Sequence, residues 1–524
     1  MGQSSGKWYW EVLISTSSTS DMIGVVDETF DSVNSSSYVG YLLSGGKDSV
    51  GYYGANGKKY INSTASDYSN VTFTTGDIIS VALNLDDDEI TFYKNGVSQG
   101  AISYTFSGGN ILPAVCDATN TSSAIGTFIL NFGQDSSFAG TKTPQGNTDA
   151  NEIGDFYFSP PSNFLALCSA NLPDPTIDPN KGETPDQFFN TVLYTGNGVS
   201  QTDTQAISGV GFSPDFTWIK NRTSGAFHIL NDRVRGAGKN IFINSDYSEN
   251  SGGASTGDLF TSFDSDGFTV NYQYAASTNS GANQNTDAYV AWNWLAGGSA
   301  STNVDGDIQS SVSANTKAGF SIVTWTANGS AADTVGHGLG AKPDLAIYKR
   351  LDSTSDWYAI YDVFDGSFDR LRPNDTSVYA NGVGYGTMLD TNTISNFGWG
   401  SSQNILAYCF RSIDGYSKVG IYKGNGSADG TFVYTGFRPA FIIYKETGNT
   451  NNWIMLDNKR DPDNTVGGIL YPNLANTEAT GYTILDFCSN GFKHRSTATS
   501  GNRSGGDYFY IAFAEQPFKY ANAR

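Results

Sequence analysis

The sequence predicts an all-β chain, with an antiparallel β-sandwich at the N-terminus followed by three homologous β-sandwich repeats. Three observations carry this. Gly is abundant (60 residues), aromatics make up 14% of the 524 residues, and only 15% are charged. That balance suits short strands and tight turns and starves long helices of Ala, Leu, Glu and Lys. Turn residues break the apolar runs roughly every 8–12 residues, the spacing of sandwich strands. One block pattern then recurs three times along the second part of the chain.

The N-terminal strands read in order. Gly6-Lys7-Trp8-Tyr9-Trp10-Glu11-Val12 alternates and opens the sheet, and Ile23-Gly24-Val25-Val26 and Gly51-Tyr52-Tyr53-Gly54 follow. Residues 76–85 and 89–96 make a hairpin around Asp86, Asp87 and Asp88. The acidic run reads as a solvated turn, since its spacing is not that of a calcium loop. Asn95-Gly96 gives a second tight turn, and residues 111–115 and 131–134 close the module.

In this order the motifs "GKWYWEV", "IGVV", "GDIISVALNLDDDEITFYKNGV", "ILPAV" and "NFGQ" resemble the SPRY family over about residues 6–140. The resemblance implies a bent sandwich that binds partners through loops at one end and is not catalytic. It also implies strands ahead of "GKWYWEV", where only Met1 to Ser5 stand. Either another segment or chain completes the sheet, or Met1 is an internal residue of a longer protein; the second is expected, because an uncovered sheet edge invites aggregation.

The expected organisation is a SPRY-like sandwich at 1–140, an irregular bridge at 141–186, repeats at 187–299, 318–412 and 416–524, and a linker at 300–317. Each repeat opens on an Asn-Gly pair: Asn197, Asn328 or Asn425. A Pro six residues before a Lys follows: Pro214 and Lys220, Pro343 and Lys349, Pro439 and Lys445. An Asp comes 12 or 13 residues later, at Asp232, Asp362 and Asp457. Gly267-Phe268, Gly398-Trp399 and Gly491-Phe492 then precede closing apolar strands at 289–292, 405–408 and 510–513.

Asn-Gly permits the φ > 0 of a tight turn. The Pro starts a strand where no ladder donor is needed. Alternation then puts Phe216 and Trp218 on one face. About 100 residues suffice for a core, so each repeat is expected to be its own domain. The Lys and Asp are expected to meet across a hairpin, where they could form a binding pair in each repeat; a salt bridge or turn cap is the expected role.

From about residue 150 to 520 the chain resembles a repeat of large virion proteins of marine bacteriophages. "GDFYFSPPSNFLALCSANLPDPTI", "FNTVLYTGNG", "GHGLGAKPD" and "YIAFAEQPF" carry the likeness. It implies a virion surface protein, for which tail fibre is the commonest attribution. The expected function is host-surface adhesion by the receptor-binding distal part of a tail fibre. The alternatives are a capsid-associated fibre or decoration protein, and a polysaccharide-degrading tail spike. The expected partners are a host cell-surface receptor (polysaccharide or protein), other virion proteins, and copies of this chain in a homotrimer. Attachment is expected through the N-terminal end, with the C-terminus distal.

The net charge of −21 argues against nucleic acid, whose phosphates need clustered Lys and Arg. No signal peptide is read and no apolar run approaches the ~20 residues that span a bilayer. The expected location is therefore the virion, extracellular after release, without membrane insertion. No cofactor and no catalytic constellation are read. His228, His337 and His494 fall at unrelated places, His228 near the positions of Trp357 and Trp453, and no metal-ligand spacing links them. Cys116, Cys168, Cys409 and Cys488 make no CxxC pair and read as buried free thiols. Candidate binding residues are tyrosines on Gly-, Ser- and Asn-rich loops: Tyr247, Tyr272, Tyr274, Tyr379 and Tyr385. Such rings can stack on sugars or peptides.

Overall fold

The computed structural model describes residues 2–18, 20–28, 30, 37–42, 48–118, 126–200, 202–250, 259–272, 281–363, 366–382 and 388–521. Strands dominate the regular structure among them, and no helix is long and apolar enough to cross a membrane. The chain divides into two compact units, Met1–Asp174 and Pro175–Arg524. The bridge is therefore split: most of it belongs to the sandwich, and the second unit begins before the first repeat.

The first unit holds β1 (Lys7–Thr16), β2 (Asp21–Asp27), β3 (Ser49–Tyr53), β4 (Lys59–Ile61), β5 (Thr64–Ser66), β6 (Ile78–Asn84), β7 (Glu89–Lys94), β8 (Val97–Ser103), β9 (Ile111–Asp117), β10 (Thr127–Asn131) and β11 (Leu165–Ala166). One sheet runs β10-β1-β6-β7-β8, and the other β5-β4-β3-β2-β9. Alternation along β1 puts Tyr9, Glu11 and Leu13 on one face. The bridge and the residues just before it cover that face: Phe156 and Ala166 pack on Tyr9, and Phe138 packs on Leu13.

Glu11 fastens the cover. Its buried carboxylate accepts from the backbone N–H of Phe158 at 2.7 Å and of Tyr157 at 2.9 Å. Burial pushes this carboxyl above its ordinary value, against the pull of those two N–H groups. The edge expected to be open is closed by the same segment, because β11 pairs in parallel with β1 at Trp8 and Tyr9, beside β10. Another segment of the same chain thus completes this part of the sheet.

In the second unit the first repeat carries β12 (Phe189–Thr195), β13 (Thr204–Ser208), β14 (Phe216–Asn221), β15 (Ile229–Asp232), β16 (Ile241–Phe242), β17 (Phe260–Asp264), β18 (Gly267–Asn271) and β19 (Ala288–Trp294). Next come β20 (Ser301–Asn303), β21 (Ser310–Asn315), β22 (Phe320–Thr326), β23 (Thr334–Gly336), β24 (Leu345–Arg350), β25 (Tyr358–Tyr361), β26 (Asp369–Leu371), β27 (Thr393–Ser395) and β28 (Asn404–Phe410). The last repeat holds β29 (Ser417–Lys423), β30 (Phe432–Tyr434), β31 (Phe437–Glu446), β32 (Ile454–Asp457), β33 (Leu485–Cys488), β34 (Gly491–His494) and β35 (Asp507–Pro517). Half of the segment 300–317, expected as a linker, is thus strand: β20 and β21 extend the sheet of the second repeat.

The large sheets share one strand order, β12-β19-β14-β15, β22-β28-β24-β25 and β29-β35-β31-β32. Each repeat adds a small sheet around β13-β18, β23-β27 or β30-β34. Between large and small sheet lies a satellite core, with Ile207 and Phe268, Val335 and Ile394, or Val433 and Phe492 at its centre. The opposite faces of the three large sheets meet in a single central core. Phe189 stacks on Phe513 at 4.9 Å, Phe216 lies 4.4 Å from Tyr408, and Phe410 6.0 Å from Phe513. The expectation of three separate domains is corrected accordingly: they are three sides of one prism, because each large sheet is apolar on both faces.

The joints repeat in cyclic order. Glu249 N donates to Leu351 O at 2.9 Å, Tyr379 N to Thr447 O at 2.9 Å, and Glu478 N to Arg222 O at 3.0 Å. The third repeat thereby closes on the first. The chain end closes too: the Tyr520 hydroxyl donates to Asp178 Oδ1 at 2.9 Å, beside the start of the unit. The C-terminal residues therefore lie at the end of this unit from which β12 departs. The opposite end bears the Asn197, Asn328 and Asn425 loops.

Candidate functional site

The repeated lysines and aspartates do not pair. In each antiparallel hairpin the start of the first strand faces the end of the second, so Phe216 pairs with Asp232, Leu345 with Tyr361 and Phe441 with Asp457. The Lys sits at the other end. Lys220 Nζ donates to Asn221 O at 2.7 Å and to Ala475 O of the third repeat at 3.3 Å. Lys349 Nζ donates to Asp246 O of the first repeat at 2.9 Å, and Lys445 Nζ to Asn449 O at 2.7 Å. Burial lowers Lys220 to about 7 and Lys349 and Lys445 to about 8. Lys220 and Lys349 are structural props at the joints, and Lys445 props the hairpin of its own repeat.

The register also corrects Asp362. Tyr361 holds the position of Asp232 and Asp457, and Asp362, one residue on, pairs with Lys342 near the surface. Asp232 and Asp457 are buried and hold buried arginines, Arg235 at 2.5 Å and Arg460 at 2.6 Å. Pro214 and Pro343 precede their strands as expected, whereas Pro439 lies inside β31 at a register shift. Gly329 and Gly426 adopt φ of 91° and 68°, while Gly198 lacks positive φ and serves close approach: a Cβ there would lie 2.7 Å from Asn283 O.

The three candidate tyrosines among the described residues pack in different places. Tyr247 packs on Phe227 against the first satellite core, and Tyr379 packs against the central core. Tyr272 is half-buried, its N–H bonded to Asp203 O at 2.8 Å. Tyr274 and Tyr385 lie outside the described residues. All four cysteines are free, but only Cys409 is fully buried. The three histidines are fully buried, and burial lowers each of them below its ordinary value. Among the described residues no group of three or more His, Cys, Asp or Glu could hold a metal ion.

What the structure does assemble is a cleft of about 510 Å³ between the first two repeats. Along β22 the inner face changes from Phe320 and Ile322 to Thr324 and Thr326, and the central core gives way to a polar recess. β21 supplies a second wall through Ser310 and Ser311, next to Gln309. The first repeat faces them with Arg235, Lys239 and Glu249. Arg235, only 3% exposed at its side chain, lies 2.5 Å from Asp232 and 3.1 Å from Glu249. Lys239 reaches Glu249 at 3.2 Å, and on the other wall Arg350 reaches Asp352 at 2.5 Å. Thr326 Oγ1 donates to Asn404 Oδ1 at 3.0 Å. Cations and carboxylates thus neutralise one another and hold the walls fixed. Sequence reasoning passed over the site because residues 300–317 read as a linker. The signal present was the alternation of Ile308, Ser310 and Val312 with polar neighbours.

Comparison with known proteins treats the two units separately. Residues 7–130 match the family described as SPRY domain. Ran-binding protein 9 of Xenopus tropicalis is 34% identical over 110 residues, 21% of this chain and 19% of that protein; the chain thus matches about a fifth of that relative's length. A human SPRY domain structure is 24% identical, covering 22% of this chain and 74% of that one, at a TM-score of 0.19. The SPRY domain of human HERC1 is 19% identical, covering 25% of this chain and 77% of that one, at a TM-score of 0.21. The prism gives the wider match, over residues 184–517, well over half the chain, and with it the chain belongs to the family described as Domain of unknown function (DUF7483).

Proposed function

We propose that this chain is a bacteriophage virion surface protein, the receptor-binding distal part of a tail fibre, and that it works by adhesion without turnover. The motifs of the second unit support the phage setting by their likeness to virion repeats. The single observation that carries adhesion is the cleft: a polar, charge-balanced recess on a rigid β-prism, of a size typical of ligand sites. Its partners on this reading are a host surface receptor and other virion proteins. The degrading-spike alternative needs a free carboxylate pair, yet Glu249 and Asp352 are both engaged in ion pairs.

The test is competition. Purified full chain, added to host cells ahead of the phage, is expected to block adsorption. Adsorption at the normal rate under saturating protein would refute adhesion. Immunogold labelling of intact particles separates tail from capsid: label confined to the capsid would move the decoration reading to first place.

A further inference from the structure

The cleft's chemistry also narrows its ligand, an inference that rests on the adhesion reading. We propose that the cleft between the first two repeats binds a neutral, polyhydroxylated ligand, a short segment of surface glycan.

Charge decides first. Arg235 and Lys239 face Glu249 and Asp352, and each of the four is already in an ion pair. An entering carboxylate or phosphate would meet Glu249 and Asp352 inside a chain of net charge −21. An entering ammonium would meet Arg235 and Lys239. Neither finds a free counter-charge, and displacing an existing pair would strand its partner. A neutral ligand meets no such opposition. It can still use the remaining lone pairs of the carboxylates and the remaining N–H groups of the cations.

The remaining groups match hydroxyls. Gln309 and Asn404 each carry a donor and an acceptor on one planar amide, and both are exposed at the cleft. A sugar hydroxyl likewise donates and accepts. Val234 and Leu351, both half-buried at the cleft, add apolar surface for the C–H faces of a ring. Peptide is the less suitable occupant. β21 is bonded on one side to β20 and on the other to β22, and β22 is bonded to β28, so neither strand wall offers a free edge for a peptide to extend. At about 510 Å³ the recess has room for more than one sugar ring.

The experiment is calorimetric titration of the full chain with neutral gluco-, galacto- and manno-oligosaccharides, and with oligogalacturonate as the charged counterpart. At least one neutral series is expected to bind with an affinity that added salt leaves unchanged, and oligogalacturonate is expected not to bind. Ser311 is an exposed β21 residue at the cleft. Ser311→Trp is expected to keep the wild-type melting temperature and to lower the affinity by about tenfold or more. Should it melt early, Gln309→Ala carries the same expectation with a smaller loss. Failure of every neutral series, salt-sensitive binding of oligogalacturonate, or wild-type affinity in the folded variants would each overturn the proposal. If Ser311→Trp blocks phage adsorption as well as wild type does, the cleft proposal fails while adhesion stands. If neither protein blocks adsorption, adhesion itself fails.

Discussion

His228 occupies the position of Trp357 and Trp453 and does the same work. Trp357 Nε1 donates to Phe242 O of the first repeat, and Trp453 Nε1 to Arg372 O of the second, both at 2.9 Å. His228 Nε2 lies 3.0 Å from Tyr471 O of the third, while its Nδ1 accepts from Trp218 Nε1 at 2.9 Å. That pair of bonds assigns the proton to Nε2. The smaller ring is compensated by a larger neighbour, for Trp218 stands where the others have Ile347 and Ile443. A double-mutant cycle should show it. His228→Trp alone is expected to cost roughly 1–3 kcal/mol by overpacking, and Trp218→Ile alone roughly 2–4 kcal/mol by cavity formation. The double variant should recover part of the sum, with a coupling of about 1–3 kcal/mol in denaturant melts. Additive losses would refute the exchange.

A second residue sets a pH limit. His494 lies among Tyr422, Tyr444 and Phe492, its ring nitrogens without hydrogen-bond partners, and burial lowers it to about 3. The unfolded chain takes up that proton near the ordinary value of about 6.5. The unfolded state therefore holds more protons between these values, and stability falls as pH is lowered from about 6.5 towards about 3. His494→Phe should shrink the stability difference between about pH 7 and about pH 4 by roughly 2–3 kcal/mol, read from urea midpoints. An unchanged difference would count against it.

Among the elements, two joints are ionic and one is aromatic. Asp232 takes Arg235 and the Tyr408 hydroxyl, and Asp457 takes Arg460 and Trp292 Nε1. At the remaining joint Tyr361 lies 4.5 Å from Phe509. Asp457→Ala removes one of two carboxylates that hold the buried Arg460, leaving Glu478 at 2.7 Å, and is expected to cost about 1.5–3 kcal/mol. Asp362→Ala breaks a pair whose lysine is 44% exposed and should cost under about 1 kcal/mol. Chemical denaturation of the two variants checks this, and equal losses would refute the distinction. Asp362 also shows the limit of reading by pattern. Spacing alone allowed a one-residue slip, and only the ladder reveals that Tyr361 is the true counterpart. Gly398-Trp399 was misaligned likewise: Thr393 and Ile394 take the places of Gly267 and Phe268. The strands themselves were legible, because β14, β24 and β31 keep the same apolar alternation after each Pro. The cleft wall was not, since Ser and Thr in β20 and β21 carry little apolar signal.

For the whole molecule, the ring supplies within one chain the threefold arrangement of related loops for which a homotrimer was expected. Its inward faces are already covered by one another, in the central core that the three large sheets share. The full chain is therefore expected to behave as a monomer of 56.1 kDa in light scattering. A threefold mass would restore the trimer. The number of repeats was legible from the sequence, and their closure was not. Closure depends on contacts between residues far apart in the chain, such as Phe189 with Phe513, and no local pattern encodes them.

The contact between Tyr520 and Asp178 has a topological consequence. A ring whose ends touch has no privileged first repeat. If a short peptide joined residue 520 to residue 178, the backbone could be reopened between the second and third repeats, near Ser412. The same sheets should then form in a rotated order. Such a circular permutant of the second unit should melt cooperatively, as a circle cut at a different point.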